Sequence, residues 1–141
     1  MNEHKDGRLG FSIGHEPTLG LSVTHLGPTI IPAEDWHRFR VDAEAPGFQA
    51  KFECETFLRP LKIFADEIRS VHKALSGAAS LTSTDRRLNV EASIDRLGHV
   101  VWKVALESTD HPSPRLTFNI EQDQTFLLNV AAKIEGMLET L

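Results

Sequence analysis

Between Leu88 and Ile120, apolar residues recur at every second position in three successive stretches. Leu88, Val90, Ala92 and Ile94 share one face, then Val100, Trp102, Val104 and Leu106, then Leu116, Phe118 and Ile120. The alternation predicts an antiparallel β-meander with one buried face. Directly after it, Phe126, Leu127, Val130, Ala131, Ile134, Met137, Leu138 and Leu141 fall at three- and four-residue spacing, the stripe of an amphipathic helix.

The first half of the chain carries the same two signals. Leu9, Phe11 and Ile13 alternate, as do Leu19, Leu21 and Val23, around the turn residues Gly14-His15-Glu16-Pro17, so a first hairpin is expected. Leu26 to Asp35 has no period and is broken by Gly27-Pro28 and Pro32, which reads as a loop leading into Trp36. A second hairpin follows, with Phe39, Val41 and Ala43 on one arm and Phe48, Ala50, Phe52 and Cys54 on the other. Setting Ala45 against Phe48 pairs the apolar positions and places Asp42 opposite Lys51 and Arg40 opposite Glu53, so opposite charges meet. Pro46-Gly47 favours a type II turn, whose twist suits a two-residue hairpin poorly, so a bulge or wider loop is the competing register.

Phe57, Leu58, Leu61, Phe64, Ala65, Ile68, Val71 and Leu75 form a second helical stripe, from about Thr56 to Ser76. Pro60 fits only its first turn and Gly77 suits its end. Ala79 to Thr84 reads as a short strand. In the third hairpin, Asp95-Arg96-Leu97-Gly98-His99 forms a turn that pairs Ile94 with Val100 and Leu88 with Leu106 on one face, and Glu91 with Lys103 on the other. Charge pattern and apolar pattern select the same register. The expected fold is α+β: a single twisted antiparallel β-sheet with two amphipathic helices packed on one face, in one domain over residues 1–141 with a mobile N-terminus at 1–8.

Composition narrows the function classes. At 141 residues the chain can bury roughly 68–70% of its unfolded surface, enough for a core without cross-links. The one cysteine, Cys54, lies in phase with apolar neighbours and reads as a small buried hydrophobe. Twenty acidic against fifteen basic residues give a net charge of −5 with no long like-charge run, which disfavours nucleic acid. No stretch approaches the ~20 apolar residues of a membrane span, and the first residues lack a signal-peptide pattern, so a cytoplasmic protein is expected.

The seven histidines, His4, His15, His25, His37, His72, His99 and His111, are scattered singly, with no metal-ligand spacing. No nucleophile elbow, phosphate loop or dinucleotide fingerprint is present, and the carboxylates fall on the solvated sheet face. No catalytic residue, cofactor or metal is therefore expected. Trp102 is in phase with Val100 and Val104 and reads as core. Trp36, at a loop-to-strand junction, reads as packing under the loop, with a partner anchor as the alternative.

Five segments carry a family likeness: Asp35-Trp36 before the charged hairpin, Gly47-Phe48 at its turn, Glu55-Thr56-Phe57, Leu88-x-Val90 with Gly98-His99-Val100, and Leu116-x-Phe118 with Asp123-Gln124-Thr125-Phe126-Leu127. Over about Trp36 to Leu141 the chain resembles a family of small bacterial proteins that includes WapI-type immunity proteins, which protect a cell against contact-delivered toxins. The resemblance brings no active-site motif. It implies a non-enzymatic module that binds a protein partner, with a toxin as the expected partner, and no residue roles carry over.

An open sheet face of mixed charge suits that role through electrostatic complementarity. The candidate partner surface is Arg40, Asp42, Lys51, Glu53, Glu91, Lys103, Asn119 and Glu121, with Trp36; its plain reading is a solvated face. The alternative function is a small-molecule-binding protein or enzyme with a pocket between sheet and helix, which would need inward polar residues that the alternation lacks. A homo-oligomer is permitted by Val101 and Ala105 on the polar sheet face.

Overall fold

The alternating segments become eight strands and the two stripes become two helices. The computed structural model describes residues 8–29, 35–109 and 113–141. The elements are β1 (Gly10–Glu16), β2 (Leu19–Pro28), β3 (Trp36–Ala45), β4 (Phe48–Phe57), α1 (Arg59–Ala74), β5 (Ala78–Thr82), β6 (Leu88–Ile94), β7 (His99–Glu107), β8 (Arg115–Asp123) and α2 (Thr125–Thr140). Four strands and then a helix occur twice.

Both hairpin registers expected from charge and alternation are present. Ala45 faces Phe48, and the ladder runs without a shift through Asp42–Lys51 and Arg40–Glu53 to Trp36–Phe57. Gly47 adopts φ +82° in the connecting turn, a conformation that glycine reaches without a Cβ clash, and no bulge is needed. In the other hairpin Ile94 faces Val100, Ala92 faces Trp102 and Leu88 faces Leu106.

The single sheet is not what forms. The strands make two antiparallel sheets of four, ordered β1-β2-β3-β4 and β5-β6-β7-β8. Alternation states which face of a strand is buried, but not whether two strands separated by a helix pair with each other. Here β5 does not extend the first sheet. The turn at 83–87 reaches the outer edge of β4 instead: Glu55 N–H donates to Asp85 Oδ2 at 2.7 Å and Phe57 N–H to Thr84 Oγ1 at 3.1 Å. Nor do the helices share one sheet face. α1 packs on α2 and along β5, the first strand of the second sheet, while α2 packs along β1, the first strand of the first. Arg69 on α1 joins Glu135 on α2 through two hydrogen bonds of 2.7 and 2.5 Å.

Two boundaries also move. β2 continues through Leu26 to Pro28 with a register shift between His25 and Gly27, where a loop was expected. The Glu55-Thr56-Phe57 segment ends β4, so α1 starts later, at Arg59. The rest of the expected loop, residues 30–34, and the expected mobile segment, apart from Arg8, lie outside the described residues.

One core joins both sheets and both helices. Phe11, Ile13, Leu21, Val23, Phe39 and Val41 enter it from the first sheet, Leu81, Val90, Trp102, Val104 and Ile120 from the second, and Phe64, Ile68, Leu127 and Ile134 from the helices. Trp102 is completely buried, lies edge-on to Phe64 at 6.4 Å between centroids, and donates its indole N–H to Gln122 Oε1 at 3.0 Å. The hydrogen bond satisfies the polar end of a side chain that the core otherwise surrounds with apolar groups.

Candidate functional site

Because strand side chains alternate, each sheet turns one set of residues to the core and the other outward. The candidate surface residues are all outward, but they divide between the two sheets. Arg40, Asp42, Lys51 and Glu53 lie on the first sheet, and Glu91, Lys103, Asn119 and Glu121 on the second. Two faces therefore replace the single expected surface.

On the first sheet the charges engage one another. Arg40 Nε donates to Asp42 Oδ2 at 2.9 Å, and Lys51 Nζ lies 3.7 Å from the other oxygen of Asp42. Glu53 accepts from Arg38 at 3.1 Å, a diagonal contact in place of its register neighbour. Trp36 is half-buried at the end of this face. Its indole meets Phe57 edge-on at 4.6 Å and donates to Glu55 Oε2 at 3.1 Å, so its packing is against β4.

The second sheet differs. Register sets Ser80, Glu91, Lys103 and Asn119 in one row across its four strands, with Glu121 opposite Val101 in the next. Glu91 and Lys103 are directly opposed, yet neither these two nor Asn119 and Glu121 has a side-chain hydrogen bond or ion pair among the described residues. Half-buried Val101 and Ala105 flank Lys103 on β7, one row to either side. An open groove of about 610 Å³ crosses this face, lined by Glu91, Lys103, Ala105, Thr117 and Asn119 among others.

A polar cluster at one end of the first sheet's inner face has no counterpart in the expectations. His25 Nε2 and His37 Nδ1 are 2.8 Å apart, and His25 lies edge-on to Phe39. His37 faces Thr56 across the ladder, and Thr56 Oγ1 contacts Thr84 Oγ1 at 3.1 Å. Burial lowers the His25 pKa, helped by His37 and Arg8. The histidines had been read as solitary. Parity carried the missed signal: His25 is in phase with Leu21 and Val23, and His37 with Phe39 and Val41. Of the other histidines, His4 and His111 lie outside the described residues.

Cys54 is buried beside Phe39, and burial pushes its thiol up to about 12, so it is not a thiolate nucleophile at neutral pH. Among the described residues no three His, Cys, Asp or Glu side chains could hold a metal ion. A second groove, of about 400 Å³, lies between α1 and β5, but it is open, and Glu67 in its wall is bonded to the Ser80 amide at 3.0 Å. No helix of the described residues is long and apolar enough to cross a membrane.

Fold and surface together define an α+β protein of two four-stranded sheets whose exposed features are sheet faces suited to contact with another macromolecule. The chain belongs to the Immunity protein WapI-like family, whose model matches residues 13–141. That membership supports an immunity-type, protein-binding role. No curated protein matches the sequence significantly. A chain from the crystal structures of Trypanosoma bruciei MRP1/MRP2 shares the fold, with a TM-score of 0.52 and 10% identity over 94% of this chain and 85% of that one. At that identity the likeness concerns the fold alone.

Proposed function

We propose that this chain neutralises a bacterial toxin in the cytoplasm by stoichiometric, non-enzymatic binding, and that the outer face of the second sheet is the surface that does so. Family membership supports an immunity-type, protein-binding role. The observation that carries the location is the row of charged and amide side chains on β6, β7 and β8, Glu91, Lys103, Asn119 and Glu121, with no partner among the described residues. A charge already engaged within its own molecule has little left to offer a partner, whereas a free one steers and registers an incoming surface. The half-buried Val101 and Ala105 flank Lys103 on β7, so apolar surface borders the charged row on both sides.

The test is affinity purification of the tagged chain from its host, followed by titration of the recovered partner against the pure protein. A single protein binding at one-to-one stoichiometry, and lost on Lys103→Glu, supports the reading. Recovery of the chain alone, or a partner indifferent to Lys103→Glu and Glu91→Lys, contradicts it.

A further inference from the structure

A sheet edge presents unpaired backbone groups, and most edges here are covered. The β5 edge gives its Ser80 amide to Glu67. β1 runs beside α2 and β8. The far end of β4 is bonded by the 83–87 turn through Glu55 N–H, Phe57 N–H and the Glu53 carbonyl, which accepts from Arg87 at 3.3 Å. These contacts fix the parity of the strand: odd-numbered residues of β4 direct their amides and carbonyls outward. The unshifted ladder extends that parity to Gln49 and Lys51. Among the described residues, nothing bonds the outward backbone groups of these two.

We infer that this free stretch of β4, Phe48 to Phe52, pairs with the same stretch of a second copy of the chain. Parity and the residues that would be opposed select the register, and the self-complementary exposed Phe48 and half-buried Phe52 favour a second copy as the occupant. An isologous antiparallel pair must bring odd residues of one copy to odd residues of the other, which leaves few alignments. Centring the two-fold on Lys51 opposes two lysines, which is unfavourable. Centring it on Phe52 sets Gln49 of one copy against Glu55 of the other, whose backbone is already engaged with Asp85. Centring it on Ala50 meets neither obstacle.

In that register Gln49 pairs with Lys51 of the second copy twice, and Phe48 meets Phe52 of the second copy twice on the apolar face. Phe48 is 66% exposed in the single chain, and Phe52 and Ala50 are only half-buried, although neighbouring Val41 and Ala43 are fully covered. The pairing covers these residues and joins two four-stranded sheets into one of eight. Lys51, the natural guard of such an edge, leans over the outer face toward Asp42 at 3.7 Å.

The test uses the full chain and no partner protein, so its failure is separate from any failure of the toxin-binding reading. Sedimentation equilibrium across a wide concentration range should show a reversible monomer–dimer equilibrium. Phe48→Asp should leave a monomer with the same circular dichroism and melting temperature. Ala50→Cys should give a covalent dimer on mild oxidation, since opposed residues of a non-hydrogen-bonded pair are within disulfide reach, whereas Gln49→Cys, offset from its own copy, should not. A chain that stays monomeric at every concentration overturns the inference. So does a dimer that survives Phe48→Asp or fails to cross-link through Ala50→Cys.

Discussion

The two halves of this molecule have the same order of elements and use it differently. The first sheet binds its outer charges to one another, Arg38 to Glu53 and Arg40 and Lys51 to Asp42, and admits a polar cluster of His25, His37 and Thr56 to the end of its inner face. The second sheet has an apolar inner face built around Trp102 and leaves Glu91, Lys103, Asn119 and Glu121 on its outer face without partners among the described residues. On the proposed function, a scaffold repeated in topology satisfies its outer charges internally in one half and offers them to a partner in the other. The distinction is invisible in composition, since both faces carry similar residues.

The largest expected effect falls on the apolar half. Trp102→Ala removes a fully buried indole and leaves Gln122 without its donor, and should lower unfolding free energy by about 3–5 kcal/mol in urea denaturation. The joint between the halves comes next. Asp85 accepts from the Glu55 amide, the Ser83 hydroxyl and the Arg87 amide, so one carboxylate ties the edge of the first sheet to the β5–β6 turn of the second. Asp85→Ala should cost about 1.5–3 kcal/mol, the usual range for hydrogen bonds to a charged group. If it costs nothing, the Asp85 carboxylate is not what holds the joint between the halves.

Acid separates the halves by their titratable cores. His25 is held below its ordinary 6.5 by burial, then by His37 and Arg8, so the unfolded chain takes up its proton at higher pH than the folded one. Stability from this group is therefore complete above about pH 6.5 and declines as the pH falls through the lowered folded value. Melting temperature should fall as the pH drops below about 6.5, and His25→Phe should flatten that slope. An unchanged slope would remove the histidine pair from the account.

Much of the fold was legible because local and cross-strand signals agreed. In the Phe39–Cys54 and Leu88–Leu106 hairpins, charge and alternation selected one register each, and both formed. The partition into two sheets was not legible, because it depends on side chains of the 83–87 turn capping Glu55 and Phe57, a contact between segments with no shared periodicity. The candidate surface was half legible for the same reason. Parity placed each charge outward, but only the assembled sheets show that Asp42 is engaged and Lys103 is not. The His25–His37 contact was present in parity and was passed over because the two residues are twelve apart.

On the outer faces the stability effects are smallest. Lys51→Glu loses one exposed ion pair with Asp42, and Lys103→Glu sets a second carboxylate opposite Glu91; each should lower stability by less than about 1 kcal/mol, read from thermal melts. Binding should separate the two. The decisive measurement is calorimetric titration of the protein partner with the unaltered chain, Lys51→Glu and Lys103→Glu. The account predicts at least a tenfold loss of affinity, about 1.4 kcal/mol, for Lys103→Glu alone. Loss confined to Lys51→Glu, or equal affinity for all three, would contradict the assignment of recognition to the second sheet.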